Sequence, residues 1–254
     1  MRVITSCIHK GGTGKTTCAV HLVHRLKKRG RRVLLIDCDT QGNATSAFLE
    51  DRRAHTVGAS RLFEKGGADV DVYEGAADVL VIPADDELID IEKAPVGAET
   101  LFRENLRAAA RDAGVDDVVI DTPPTIGFGM LAPLVAADFA FSPIVADPYS
   151  LDGVDSLLRR IQQVQNSLNP TLRHLGLLVN RLNRNSSDQR EALALIERNF
   201  KRHVIPHVIG ERASIARVAF TGEPVWAGKG GAAGQGAREM RNALDWIINE
   251  MGGV

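Results

Sequence analysis

Apolar positions along this 254-residue chain fall into two kinds of run. Short, nearly unbroken apolar stretches occur at Val3–Ile8, Arg32–Asp37, Val79–Ile82, Asp117–Ile120, Phe139–Val145 and Leu175–Val179. They lack the alternation of a half-solvated strand and predict strands covered on both faces. Between them, apolar residues recur at helical spacing. Over 15–29 the residues Ala19, Val20, Leu22, Val23 and Leu26 share a face, and basic residues precede a stop at Gly30. Similar patterns cover 98–112, 151–167, 187–200 and 237–251. Strand and helix alternating over the whole length predict an α/β fold: a mainly parallel twisted sheet with helices on both faces, and ligands at the carboxyl ends of the strands. Two stretches are less regular. Residues 41–75 predict short helices and loop, and the glycine-rich 222–236 predicts a mobile connection into the last helix. With no internal repeat, low-complexity segment or linker, the chain is expected to form one domain over 1–254.

Composition narrows the partners. Hydrophobic residues at 44% and charged residues at 25% are ordinary for a soluble globular protein. With 31 basic and 32 acidic residues the net charge is −1, so binding to a polyanion has to come from a local patch or from one assembled by oligomerisation. Cys7, Cys18 and Cys38 form an odd set without C-x-x-C spacing, which predicts small buried residues in a reducing cytosol rather than disulfides or a zinc site. No secretory leader is evident, and no apolar stretch approaches the roughly 20 residues that span a bilayer. The expected location is cytoplasmic.

The chemistry begins where the first apolar run meets glycines, in His9-Lys10-Gly11-Gly12-Thr13-Gly14-Lys15-Thr16-Thr17. A glycine turn between a strand and a helix lets backbone N–H groups close on phosphate oxygens, and the helix N-terminus adds its positive dipole. Lys15 then reaches the β- and γ-phosphates, and the Thr16 hydroxyl ligates Mg²⁺. The general G-x4-G-K-[ST] pattern has a glycine where His9 stands, and an extra lysine, Lys10, precedes Gly11. The second strand ends in Asp37-Cys38-Asp39-Thr40-Gln41-Gly42-Asn43, and a carboxylate there, beside a phosphate site, can orient or deprotonate an attacking water. Asp39 is the choice for that role and a further candidate for the metal. Val118-Val119-Ile120-Asp121-Thr122-Pro123-Pro124 is an apolar strand ending in an aspartate suited to hold Mg²⁺ through water, followed by a stiff loop.

Residues 10–17 resemble the deviant Walker A box of the ParA/MinD family of ATPases, whose extra lysine crosses a dimer interface to the partner's phosphates; Lys10 matches it. The Asp37–Asn43 segment resembles the family's first switch, with Thr40 in place of the usual proline, and Asp121-Thr122-Pro123-Pro124 matches its Asp-x-Pro-Pro without change. The resemblance also implies that Asn180 reads the adenine edge and that Pro206 packs on the base. It implies that Arg212, in Arg212-Ala213-Ser214-Ile215-Ala216-Arg217, contributes to non-specific DNA binding, with Arg184, Arg190, Lys201, Arg202 and Arg217 extending the patch. Ile215 departs from the family's common glutamate.

Within the family, the cysteine positions exclude the iron–sulfur relatives, and the two tyrosines, Tyr73 and Tyr149, do not form the tail cluster of the bacterial tyrosine kinases. The slightly acidic tail from Ala237 speaks for a docked terminal helix rather than a membrane anchor. The P-loop begins about ten residues in, so no separate N-terminal DNA-binding domain is expected. The resemblance thus implies a ParA-type partition ATPase that uses ATP and Mg²⁺, dimerises with ATP, binds non-specific DNA and is released by hydrolysis stimulated by a ParB-like protein. The alternatives are a ParA-like ATPase that positions protein cargo and a MinD-like regulator at a membrane surface. A metabolic ATP-dependent ligase on this fold gives Lys10 no evident role.

Overall fold

The computed structural model describes residues 1–8, 10–50, 57–125, 127–147, 150–227 and 231–253. In chain order its strands are β1 (Arg2–Ser6), β2 (Val33–Asp37), β3 (Tyr73–Gly75), β4 (Val79–Ile82), β5 (Asp117–Asp121), β6 (Phe139–Ile144), β7 (Arg173–Leu182) and β8 (Val204–Gly210). The helices are α1 (Lys15–Lys28), α2 (Asn43–Ser46), α3 (Ala98–Asp112), α4 (Phe128–Ala136), α5 (Ser150–Ser167), α6 (Ser187–Phe200), α7 (Ala213–Ala216), α8 (Val218–Thr221) and α9 (Gly231–Glu250). One eight-stranded sheet has the order β3-β4-β2-β5-β1-β6-β7-β8. All neighbours are parallel except the edge pair β3–β4.

Successive strand residues face opposite sides, and both sides are covered. Val3, Leu34, Ile36, Val118 and Ile120 pack with Phe102, Leu106, Met130, Leu157 and Ile196 of α3 to α6. Ile4, Leu35 and Val119 pack with Leu22 and Leu26 of α1 and with Leu244 and Ile248 of α9. That double cover is why the strands carry no polar alternation. Cys7, Cys18 and Cys38 are free and buried, as small core residues.

Four elements depart from the expectation. β8 was not expected because Pro206 and His207 interrupt its apolar run; it is the sheet's edge, where a proline costs no ladder hydrogen bond. β3, only three residues long, blunts the other edge within the irregular 41–75 stretch. α4 has no amphipathic period because nearly all of it is buried, and it contains Pro133. α9 starts at Gly231, six residues before the expected helix, so part of the glycine-rich stretch is helical; residues 228–230 lie outside those described. A Cβ at Gly236 would stand 3.0 Å from Arg212 Cδ and 3.2 Å from Ile215 Cγ1, so this glycine reports close packing of α9 on α7.

The core makes a direct prediction. Phe102 is fully buried, with its ring 4.6 Å from that of Phe63. Phe102→Ala is expected to lower the unfolding free energy by about 3–5 kcal/mol in a urea titration followed by circular dichroism. A loss below about 1 kcal/mol would mean that the α3 face is not packed as described.

Candidate functional site

β1 delivers the chain to a turn, Lys10–Gly14, from which α1 departs at Lys15. Gly12 and Gly14 have φ of 73° and 94°, the left-handed region that side chains avoid. A Cβ at Gly14 would also meet Asn180 Nδ2 at 2.3 Å. The turn is fastened from β7: Asn180 Nδ2 donates to the Thr13 carbonyl and an Arg181 guanidinium N–H to the Gly12 carbonyl, both at 2.7 Å. Because a trans peptide sets its N–H opposite its C=O, these bonds turn the N–H groups of Thr13 and Gly14 away from β7. Arg181 itself has a φ of 55° and ion-pairs with Glu211 at 2.9 Å, which holds this strained residue in place.

The parallel register sets Asp37 opposite Asp121 at the ends of β2 and β5. Asp37 is fully buried and accepts from Thr45 N–H at 2.7 Å, the Thr45 hydroxyl at 2.8 Å and Asp39 N–H at 3.1 Å. Burial raises its pKa to about 6. Asp37 is therefore committed to shaping the loop. Asp39, partly exposed, faces the cavity, and one of its oxygens accepts from Gln41 N–H at 3.0 Å. Asp121 is also fully buried, and no well-formed hydrogen bond reaches its oxygens among the described residues, although the Thr16 hydroxyl stands close enough to favour its charge. Burial, and after it the Asp37 charge, pushes its pKa up to about 8. Lys15 is buried beside these groups; burial lowers its pKa, opposed by the charges of Asp121 and Asp39.

A cavity of about 610 Å³ opens above these residues. Gly11, Lys15, Thr16, Asp39 and Pro124 line the end at the glycine turn, and Asn180, Arg181, Gly210 at the end of β8 and the chain to Ala213 line the other. The buried, unpartnered Asp121 carboxylate next to Thr16 fits a hydrated divalent cation, and the unpartnered buried Oδ1 of Asn180 fits a donor such as an exocyclic amine. No group of three or more His, Cys, Asp or Glu that could hold a metal ion occurs among the described residues.

The structure brings most of the expected residues together, with two corrections. Pro206 does not line the cavity; it is exposed within β8, four residues before Gly210, which does. Arg212 is not a free surface cation. It lines the cavity, half-buried, with its guanidinium on Glu239 of α9 at 3.2 and 3.3 Å. Arg184, Arg190 and Arg217 are exposed, and Arg190 donates to the Arg184 carbonyl at 2.8 Å. Lys10 stands exposed, its ammonium paired with Asp147 beyond β6, while its carbonyl receives Lys15 Nζ at 3.5 Å. His9 lies outside the described residues. Asp147, Glu211 and Glu239 were not legible in advance, because each meets the site only through long-range packing.

Fold and site together define a P-loop nucleoside triphosphatase. The family model described as the AAA domain matches residues 1–174. Protein IncC of Escherichia coli is 34% identical over 99% of this chain and 70% of its own length. The chromosome-partitioning ATPase Soj of Thermus thermophilus is 33% identical over 89% of this chain and 87% of its own. Among solved structures, cobyrinic acid a,c-diamide synthase from Mycobacterium smegmatis with bound ADP and magnesium superimposes with a TM-score of 0.80 at 26% identity, covering 100% of this chain and 97% of that one. The chain belongs to the ParA/MinD family of partition ATPases, with ATP and Mg²⁺ as its nucleotide and ion.

The Asp121 environment predicts a pH dependence in the nucleotide-free protein. Its folded pKa of about 8 lies above the unfolded value of roughly 4, so the folded chain keeps a proton there that the unfolded chain releases. The resulting stability is full below the unfolded pKa and is lost as pH rises through the folded one. Asp121→Asn, a mimic of the protonated acid, is expected to match the wild type near about pH 4 and to exceed it increasingly toward about pH 8 in chemical denaturation. Equal stability at both pH values would show that the carboxylate is hydrated.

Proposed function

We propose that ATP brings two copies of this chain face to face, that Lys10 of each reaches the phosphates held by the other, and that the pair then grips DNA without sequence preference. The observation that carries this reading is the position of Lys10. Its side chain is about half exposed and its ammonium is paired with the partly buried Asp147 rather than with Asp39 or Asp121, so it is not committed to the carboxylates of its own cavity. Within each copy, Lys15 and the Gly11–Thr17 turn hold the phosphates, Thr16 and Asp121 hold the ion, the latter through water, and Asp39 orients the attacking water. Magnesium, when bound, offsets phosphate charge. Asn180 offers its free acceptor to the adenine amine.

The DNA-binding surface draws its support from charge. A chain of net charge −1 has no global attraction to a polyanion, so two copies have to combine local patches. The exposed Arg184, Arg190 and Arg217 are the candidates, with Lys201 and Arg202 also exposed. Arg212, bound to Glu239, is set aside. Hydrolysis stimulated by a ParB-like protein then separates the copies and releases the DNA, in the cytoplasm over the nucleoid. A membrane-surface role finds less support: Met240, Leu244, Ile247 and Ile248 of α9 are fully buried against the core, and no described helix is long and apolar enough to cross a membrane.

The test is binding to a random-sequence duplex at low and moderate salt, with ATP, ADP or no nucleotide. ATP-dependent binding that weakens steeply with salt and disappears in Lys10→Ala is expected. Arg184→Ala combined with Arg190→Ala should flatten the dependence of log K on log salt by about one unit per lost phosphate contact. ATP binding without DNA affinity in any nucleotide state overturns the reading.

A further inference from the structure

The loop that follows Asp121 is fastened at both ends. At its start the Thr122 hydroxyl donates to the Ser6 carbonyl at 2.7 Å. At its end α4 begins with Gly127 as its N-cap, a residue with no side chain to satisfy the helix's first N–H groups. Those groups are taken by a residue distant in sequence, Glu92. Phe128 N–H donates to Glu92 Oε2 at 2.7 Å and Gly129 N–H to Oε1 at 3.2 Å, and the Thr125 hydroxyl donates to Oε1 at 3.3 Å. Both carboxylate oxygens are thus engaged with this one loop. Gly127 permits the approach: a Cβ there would stand 1.8 Å from Glu92 Oε2.

Glu92 has a firm base. It sits near the end of a 3-10 helix, Asp86–Lys93, whose Leu88 and Ile91 are buried in the core. The helix start is held by Asp85, which accepts from Leu88 N–H at 3.1 Å, Ser60 N–H at 3.1 Å and the Ser60 hydroxyl at 2.8 Å. Pro123 and Pro124 stand between the two fasteners. A Cβ at Gly129 would meet Pro123 Cγ at 2.7 Å, so the first turn of α4 and the prolines shift together. Pro124 lines the cavity opposite Gly11, at the end where Asp39 also stands.

We infer that Glu92 is a positioning residue for ATP hydrolysis: its carboxylate holds Thr125, Phe128 and Gly129 and so sets where Pro124 stands at the phosphate end of the cavity. Its influence falls on the chemical step. The groups that hold the P-loop turn, Asn180 and Arg181, and the buried Lys15 make no contact with it, so nucleotide binding is independent of it. Glu92 is exposed, and its removal leaves the core packing intact.

The test uses the full chain without DNA or a partner protein, so that failure of the DNA-gripping reading leaves it unaffected. Glu92→Ala is expected to lower kcat about tenfold, the scale of a small misplacement at a reacting centre, while the Kd for Mg-ATP stays within about twofold. The Phe128 and Gly129 amides should exchange faster with deuterium, and the melting temperature should fall by no more than the few degrees that loss of a helix cap brings. Gly127→Ala, which drives a methyl into the carboxylate, should reproduce the kcat loss and add nothing to it in the double variant. Unchanged kcat despite faster amide exchange overturns the inference. So does a loss of kcat matched by equal losses of ATP affinity and melting temperature, which would make Glu92 merely structural.

Discussion

At the carboxyl ends of β2 and β5 the parallel register sets Asp37 directly opposite Asp121, and both side chains are fully buried. Two neighbouring carboxylates in a dry site repel one another, and burial disfavours the charge on each. The fold treats them unequally. Asp37 accepts three hydrogen bonds and becomes part of the loop after β2; Asp121 has beside it only the Thr16 hydroxyl and Lys15 among the described residues to favour its charge. Lys15, buried at the start of α1, is the nearby cation. A cluster left this incomplete has a standing affinity for what would complete it, a divalent ion and the phosphates that come with it.

The turn above this cluster is shaped from the opposite side of the sheet's midline. Asn180 and Arg181, at the end of β7, take the carbonyls of Thr13 and Gly12. Asn180 therefore does two things at once: its amide N–H orders the phosphate turn, and its Oδ1 stays available at the other end of the cavity. One side chain thus ties the glycine turn to the far end of the cavity. The positive φ of Arg181 is the strain that accompanies this arrangement, stabilised by the Gly12 carbonyl and Glu211.

Kinship to partition ATPases gives the same constellation a mechanical meaning, because the parts that hold nucleotide are separate from the parts that face outward. Lys15, Thr16 and Asp121 are built into strand ends and the first helix turn. The Lys10 ammonium rests on Asp147 at the rim, and the loop after Asp121 is held by the exposed Glu92. Contacts of that kind, weak and solvent-screened, can change between nucleotide states while the buried ones persist.

By itself the amino-acid sequence determined the architecture and which residues gather at the glycine turn and the strand ends beside it. Unbroken β-branched runs, helical periods between them and a glycine–lysine turn each reflect a local constraint: burial on two faces, a left-handed backbone, a cation within reach of phosphate. Asp39 and Asp121 were legible for the same reason, as carboxylates at strand ends. Tertiary structure alone decided the rest. It showed β8 as an edge able to carry Pro206, drew the glycine-rich segment partly into α9, turned Arg212 onto Glu239, and set Glu92 against the first turn of α4. Each of these depends on which distant residue occupies the other half of a contact, and a periodicity read along one chain holds no information about that partner.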